Sequence, residues 1–158
     1  MGEAILKSAV NHFRGRSEHA LDGKGRLNIP SRFRDVLRRQ YDDRLMLSML
    51  NRCIRVYPLA QWEELEVKLL ARLQEEPDSK KMIRYIIGGV EECQLDKQGR
   101  ILLPPKMREE AGIGNNVVLT GVMTHFEIHD KGVWEEVSRP SAEDFENFEK
   151  SLLRSGLL

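Results

Sequence analysis

The sequence predicts an α+β fold in which two similar halves build one core around a pseudo-two-fold axis. A ten-residue segment that begins at Leu21 returns at Leu95, 74 positions later, with Leu, Asp, Gly, Arg and Pro at matching places. The tripeptide Trp-Glu-Glu at positions 62–64 returns at 134–136. Short strand patterns alternate with helical patterns in both halves. Two copies at so long a period exclude a solenoid, which needs about three or more units.

The first half is predicted to run strand, tight turn, strand, short helix and hairpin. Its predicted strands are residues 18–21, 26–29, 45–50 and 53–57. Pro30 ends the second strand, and Ser31 is the predicted N-cap of the helix that follows. Phe33, Val36 and Leu37 form the apolar stripe of this helix. The dipeptide Asn51-Arg52 forms the turn of the hairpin.

The second half repeats this order. Its predicted strands are residues 92–95, 100–103, 116–122 and 126–129. Pro104-Pro105 leads into a short helix that Gly112 ends.

Helical patterns lie between the halves and at the C-terminus. Residues 59–76 have one apolar face, and Pro77 ends that helix. Asp78 is predicted to cap a second helix whose buried side chains are Met82, Ile83, Ile86 and Ile87. Ser141 and Asp144 resemble a capping box ahead of a helix with Phe145, Phe148 and Leu152 at helical spacing. No Ser/Gly linker separates the halves, which favours one fused unit.

The composition limits the possible partners. The 158 residues contain 25 Lys plus Arg and 25 Asp plus Glu, so only a local excess of positive charge can indicate a nucleic acid. No apolar run approaches the about 18 residues of a membrane helix, so we expect no membrane contact. Met1–Asn11 lacks the apolar core of a signal peptide. Cys53 and Cys93 stand far apart without a C-x-x-C spacing, which favours a reducing, cytosolic setting.

The turns carry the most specific pattern. In the first, Asp22 and Arg26 flank the residues Gly23, Lys24 and Gly25. A three-residue hairpin connection needs a left-handed residue, which Gly25 supplies. We expect the Asp22 carboxylate to bind the Arg26 guanidinium and Lys24 to stand at the apex. An alternative is an Asp–Arg pair that only locks the turn and binds no ligand.

The second turn keeps the frame but differs in charge. Asp96, Gly99 and Arg100 match the first copy. The stretch 14–39 around the first turn has an excess of five positive charges, whereas glutamates balance the cations around the second. A basic surface beside a projecting hairpin is typical of phosphate contact and groove readout. An ordinary solvated, Arg-rich helix is the alternative.

Other chemistry has little support in the sequence. His125 and His129 lie four apart in a predicted strand and offer a metal site together with Cys93 or an acid. No third ligand has a recognisable spacing, so a surface pair is the preferred interpretation. No P-loop, dinucleotide fingerprint or G-x-S-x-G occurs. We therefore expect no enzyme, no cofactor and no metal site. Trp62 and Trp134 are predicted to be packing anchors rather than base-stacking platforms.

The motifs together resemble one family. Phe13-Arg14-Gly15, the two Leu-Asp-x-x-Gly-Arg-x-x-x-Pro segments and the two Trp-Glu-Glu tripeptides resemble the MraZ family of bacterial transcriptional regulators, within the AbrB/SpoVT superfamily. The resemblance covers about residues 13–139 and implies a pseudo-two-fold swapped-hairpin β-barrel of two tandem AbrB/SpoVT-like repeats with flanking helices. Gly23 departs from the family, in which Ser is common. The implied units are 1–12 (N-terminal extension), 13–60 (first repeat), 61–90 (connecting helices), 91–137 (second repeat) and 138–158 (C-terminal helix).

The resemblance also implies a function. The family's members form ring-like homo-oligomers that bind short direct repeats in double-stranded promoter DNA of the division and cell wall gene cluster, which includes their own gene. This implies a cytoplasmic, nucleoid-associated repressor. Carried over by position, Arg26 is the first expected DNA contact, with Lys24 beside it and Arg14 nearby, while Asp22 and Gly25 shape the turn. The residues of the second motif, interpreted as structural or intersubunit, are Asp96, Gly99 and Arg100.

Two alternatives remain open at this point. One is an oligomeric scaffold or interaction ring that does not bind DNA, in which the Asp–Arg turns serve only closure. The other is an antitoxin-like regulator, which carries one hairpin motif per chain and a toxin-binding tail. The duplicated motif argues against the second alternative.

Overall fold

The computed structural model describes residues 12–158. The predicted N-terminal extension lies almost entirely outside these residues. Within them, the strands are β1 (Arg16–Ala20), β2 (Arg26–Asn28), β3 (Arg44–Met49), β4 (Ile54–Pro58), β5 (Glu91–Gln94), β6 (Arg100–Leu102), β7 (Asn116–Gly121) and β8 (Phe126–Asp130). The helices are α1 (Ser31–Gln40), α2 (Leu59–Glu75), α3 (Lys80–Gly88), α4 (Pro105–Ala111), α5 (Lys131–Val137) and α6 (Ala142–Arg154). A 3₁₀ turn, Pro77–Ser79, joins α2 to α3.

The strands form an antiparallel six-stranded sheet and a two-stranded ribbon. The sheet order is β1-β7-β8-β4-β3-β5, and the ribbon pairs β2 with β6. In the repeat, β1, β3 and β4 of the first half correspond to β5, β7 and β8 of the second. Replacing each strand by its counterpart reverses the strand order of the sheet, as a pseudo-two-fold axis requires. Each half therefore places its first strand against the third strand of the other half.

The strands beside each Asp–Arg turn separate after the turn. The hairpin expected from β1 and β2 does not form a ladder, because β1 pairs with β7 and β2 pairs with β6. Pairing across the halves places Leu27 directly opposite Ile101, and both are at most 1% exposed. A three-residue strand buries little by itself, and the shared ribbon gives both strands an apolar face in one core.

The core draws side chains from both halves. Phe13, Phe33 and Phe126 form an aromatic cluster with ring centroids 5.0–5.6 Å apart. A smaller cluster lies under α2 and α3, where Trp62 is 1% exposed and meets Tyr57 at 5.4 Å. This confirms Trp62 as a packing anchor. Loss of either cluster would remove contacts between elements that are distant in sequence.

Two predicted helix N-caps and the burial predicted for α3 were wrong. Pro30, not Ser31, occupies the N-cap of α1, and no side chain caps that end. Asp78 lies in the 3₁₀ turn, and α3 begins two residues later. None of the side chains predicted to be buried in α3 is fully buried, because Met82 is 52% exposed and Ile86 and Ile87 are half-buried against the Trp62 cluster.

The C-terminal helix forms as predicted but stays exposed. Ser141 and Asp144 make a complete capping box at the start of α6. Phe145 and Phe148, which were expected on its apolar face, are 60% and 64% exposed. Among the described residues, no helix has both the length and the apolar character needed to cross a bilayer.

Candidate nucleic-acid interface

The first Asp–Arg turn is held by one carboxylate. Asp22 Oδ1 accepts from the backbone N–H groups of Lys24 and Arg26, both at 2.9 Å. Asp22 Oδ2 accepts from Arg26 Nε at 2.6 Å. The Gly25 N–H donates to the Asp22 carbonyl at 3.0 Å, and Gly25 adopts a left-handed φ of 82°. These bonds fix the turn and confirm its predicted Asp–Arg contact.

The hydrogen bonds keep the carboxylate ionised. The backbone N–H of Arg26 is the main cause that lowers the pKa of Asp22 to about 2, and the Arg26 side chain and the Lys24 N–H act in the same direction. An ionised carboxylate makes shorter and stronger hydrogen bonds than a neutral one. The turn is therefore most rigid at any pH well above the pKa of Asp22.

The second turn has the same construction. Asp96 Oδ1 accepts from the N–H groups of Gln98 and Arg100 at 2.9 Å, and Asp96 Oδ2 accepts from Arg100 Nε at 3.0 Å. Gly99 has a φ of 78°. The pKa of Asp96 is lowered, first by the backbone N–H of Arg100. The structure thus brings together the three residues predicted for the second motif.

The first turn presents cations to solvent. Lys24 is exposed at the apex, and the Arg26 side chain is 34% exposed. The ion pair engages Arg26 Nε, so the edge formed by Nη1 and Nη2 is not used by Asp22. A paired, oriented guanidinium of this kind is suited to a bidentate contact with guanine or phosphate.

Each turn is covered by an arginine of the other half. A Cβ atom built on Gly25 would lie 2.8 Å from the guanidinium carbon of Arg108, and one built on Gly99 would lie 2.7 Å from Arg34 Cδ. Arg108 and Arg34 are equivalent positions of the repeat. Each donates from Nε to a carbonyl just before its own helix, at 3.1 Å. The left-handed φ therefore favours glycine at both turns, and a side chain there would also displace the arginine that packs against it.

The crossed packing exchanges one arginine between the two turns. The sequence counts Arg34 with the first turn, but the structure places it against Gly99 of the second. The first turn receives Arg108 from α4, which also carries Glu109 and Glu110. Each turn therefore packs against one arginine of the other half, and the exchange leaves the number of cations at each turn unchanged.

Arg14 lies apart from the turn residues. It lines a cleft of about 240 Å³ with His12, Arg32, Asp35 and Arg39 against α1, and none of the first turn's residues line that cleft. Arg32 Nη2 donates to the Arg16 carbonyl at 2.6 Å, which fastens this segment to the helix. The structure therefore groups Arg14 with the cations of α1 rather than with Lys24 and Arg26.

The two histidines do not form the expected surface pair. His125 and His129 are 8% and 7% exposed, and His129 lies beside Cys53 and Glu127 rather than Cys93. Burial raises the pKa of the Cys53 thiol to about 11 and is the main cause that lowers the pKa of His129. Sequence spacing missed this cluster because the pairing of β4 with β8 brings together residues more than 70 positions apart.

Comparisons with known proteins agree with this arrangement. The family model described as "MraZ protein, putative antitoxin-like" matches residues 12–84 and again 86–155, one match for each half. "Transcriptional regulator MraZ" of Syntrophobacter fumaroxidans is 40% identical over 92% of this chain and 97% of its own length. The proteins of the same name from Desulfitobacterium hafniense and Moorella thermoacetica are 39% and 40% identical over 92% and 85% of this chain, and over 99% and 92% of their own lengths. The chain therefore belongs to the MraZ family.

Proposed function

We propose that this protein is a transcriptional regulator that binds specific sequences in double-stranded DNA. The observation that carries the proposal is the first turn, in which an ionised Asp22 holds Arg26 at a solvent-exposed tip beside Lys24. The relatives named as transcriptional regulators support the same role. Nothing in the proposal requires a catalytic residue or a cofactor.

The proposed architecture is a swapped-hairpin β-barrel of two AbrB/SpoVT-like repeats, residues 13–60 and 91–137. The shared ribbon of β2 and β6 supports it, as does the palindromic strand order of the sheet. The crossed contacts of Arg34 and Arg108 give the same support, because each half then stabilises the turn of the other. Residues 61–90 connect the repeats, and 138–158 extend beyond the second.

At the DNA, Arg26 reads base edges and Lys24 neutralises a phosphate. A good bidentate contact from arginine to guanine discriminates by about 1–3 kcal/mol against the wrong base. Asp22 orients Arg26, and Gly25 permits the turn. Arg14 contributes from the cleft beside α1, as a phosphate contact at some distance from the tip. Asp96, Gly99 and Arg100 are assigned a structural or intersubunit role.

A single tip buries too little surface for tight binding, so we assign the affinity to multivalency. Several subunits of a ring-like homo-oligomer would present Arg26 to successive short direct repeats, and each further contact would then be intramolecular. The proposed target is the promoter of the division and cell wall gene cluster, including the protein's own gene, with repression as the outcome. The corresponding location is the cytoplasm, on the nucleoid.

The test is binding of fluorescent promoter repeats by anisotropy, with Arg26→Ala as the first variant and Lys24→Ala as the second. Arg72→Ala is the matched control, because Arg72 forms an exposed i,i+4 ion pair with Glu76 like that of Arg26 with Asp22. We expect Arg26→Ala to weaken specific binding about 5–150-fold, from the loss of about 1–3 kcal/mol. Lys24→Ala should also lower the salt dependence of binding. Equal affinities for wild type, Arg26→Ala and Arg72→Ala would remove the first turn from the interface.

A scaffold that does not bind DNA is the second candidate, and the exposed apolar face of α6 favours it. Phe145 and Phe148 form an exposed apolar surface on that face, which is suited to contact with a protein partner. Chromatography on heparin and on nonspecific DNA at low salt separates the candidates. Retention that falls as salt rises supports the regulator, and passage without retention supports the scaffold.

A further inference from the structure

A polar cluster lies where the two halves meet. β4 and β8 correspond to each other in the repeat and pair antiparallel, with Arg55 directly opposite Glu127. The one face that they share carries Cys53, Arg55 and Tyr57 from the first half and His125, Glu127 and His129 from the second. The repeat places equivalent positions on both sides of the axis, but their chemistry differs. The first half supplies a thiol and a cation, and the second supplies imidazoles and a carboxylate.

Three of these side chains form a compact donor set. One ligand atom from each of Cys53, Glu127 and His129 lies within 4.8 Å of the others. A tetrahedral ion with bonds of about 2.0–2.3 Å holds its ligand atoms about 3.3–3.8 Å apart, so the donors need to shift little. Cys53 is 3% exposed, and the Glu127 side chain is 18% exposed. Thiolate, imidazole and carboxylate are also the ligand types of zinc sites.

Two buried ring nitrogens in the cluster lack the partners that buried polar atoms normally have. Within residues 12–158, neither His129 Nδ1 nor His125 Nε2 has a hydrogen-bond partner. His125 Nε2 faces Glu127 Oε2 at 3.7 Å, which is too long for a hydrogen bond. Most buried polar side-chain atoms in proteins are satisfied, and exceptions call for an explanation such as an ion.

We propose that Cys53, Glu127 and His129 bind a divalent cation of the zinc type, with water in the fourth position. The Cys53 thiol gives its proton to solvent when it becomes a thiolate ligand, and no electron transfer is involved. His125 is a positioning residue, since a small approach of Nε2 to Glu127 would orient the ligating carboxylate. The site joins β4 to β8 and is separate from the Asp–Arg turns, so the proposal does not depend on DNA binding.

Arg55 competes with this cation for the Glu127 carboxylate. Its Nε lies 3.1 Å from Glu127 Oε2, although the angles do not make a hydrogen bond. The Arg55 side chain is 32% exposed, so its guanidinium has a route to solvent when an ion takes the carboxylate. Removal of Arg55 should therefore strengthen metal binding, a result that a merely structural cluster would not give.

The experiment titrates the tag-free full chain with Zn²⁺ against a chromophoric chelator at neutral pH, with a non-chelating phosphine as reductant. We expect one ion per chain. Loss of a residue that only orients a metal ligand costs about 10–100-fold in affinity, and His125→Ala should weaken binding by that amount. Cys53→Ser and His129→Gln remove ligands, so each should weaken binding by more. Arg55→Ala should tighten binding. Cys93→Ser is the matched control and should bind like the wild type.

Cobalt supplies an independent readout. Co²⁺ bound to the wild type and to Cys93→Ser should show a thiolate-to-cobalt charge-transfer band in the near ultraviolet, and Cys53→Ser should lose it. Circular dichroism of each variant checks the fold, and His129→Gln keeps the test valid should Cys53→Ser unfold. Absence of Zn²⁺ binding by the wild type would overturn the proposal. So would equal affinities for wild type, Cys53→Ser and His129→Gln.

Discussion

Gly25→Ala tests the crossed packing of the two halves. A methyl group at Gly25 would force an L side chain into a left-handed φ of 82°, which costs about 1–2 kcal/mol. It would also lie 2.8 Å from the Arg108 guanidinium and displace the Arg108 hydrogen bond to the Leu103 carbonyl, for about 0.5–1.5 kcal/mol more. We therefore expect the free energy of unfolding to fall by about 1.5–3.5 kcal/mol, measured by urea denaturation.

Gly23→Ala in the same turn is the matched control. Gly23 has nothing within 4 Å of its built Cβ, so its substitution should change the free energy of unfolding by no more than about 0.5 kcal/mol. In an Arg108→Ala background, Gly25→Ala should cost only the backbone strain, and the difference between the two backgrounds measures the crossed contact. Equal costs for Gly25→Ala in both backgrounds would refute the assignment of Arg108 to the first turn.

The remaining predictions concern the Asp22 carboxylate, the Trp62 cluster under α2 and α3, and the exposed helix α6. The pKa of Asp22 is depressed from 3.8 to about 2, so its stabilising effect is complete above pH 3.8 and is lost as pH falls through 2. The urea concentration at the midpoint of unfolding should decrease as the pH is lowered over that range. In Asp22→Asn this decrease should be smaller, because the variant has no carboxylate at position 22 to protonate. Trp62→Ala should lower the free energy of unfolding by about 3–5 kcal/mol, since Trp62 is 1% exposed, and a cost below about 1 kcal/mol would contradict its packing role. Phe148→Ser, at a side chain 64% exposed, should change the unfolding free energy of the isolated chain by no more than about 0.5 kcal/mol.

Features that depend on neighbours in sequence were predictable. The Asp–Arg contact, the left-handed Gly25 and Gly99 and the capping box at Ser141 all involve residues within four positions of one another. Few residue types can adopt these local geometries, so the pattern of residues in the sequence identifies the turns and the cap. The duplicated pattern also predicted two equivalent halves, and the palindromic order of the sheet has that form.

Features that depend on the choice of a distant partner were not predictable. Local spacing suggested that β1 would pair with β2, whereas burial of Leu27 and Ile101 together favours the ribbon of β2 with β6. The same pairing between the halves places Arg34 against Gly99 of the second turn. His129 appeared solvent-exposed because a strand pattern alone does not show which helix will cover it, and Trp134 of α5 lies 5.4 Å from its ring.

The crossed contacts alter what the duplicated motif means. A motif that occurs twice is easily interpreted as two binding sites, but Gly25 is packed by Arg108 and Gly99 by Arg34, so each copy helps to shape the other. The left-handed φ requires glycine in both turns, and the crossed packing gives Arg34 and Arg108 a structural role that does not depend on DNA. The proposed DNA contact is the further requirement that would distinguish the two turns, and it would fall on the exposed edge of the Arg26 guanidinium and on Lys24 at the first apex. Because Arg26 also holds the turn through Asp22, Lys24→Ala, which leaves that contact in place, is the sharper test of whether the first turn contacts DNA.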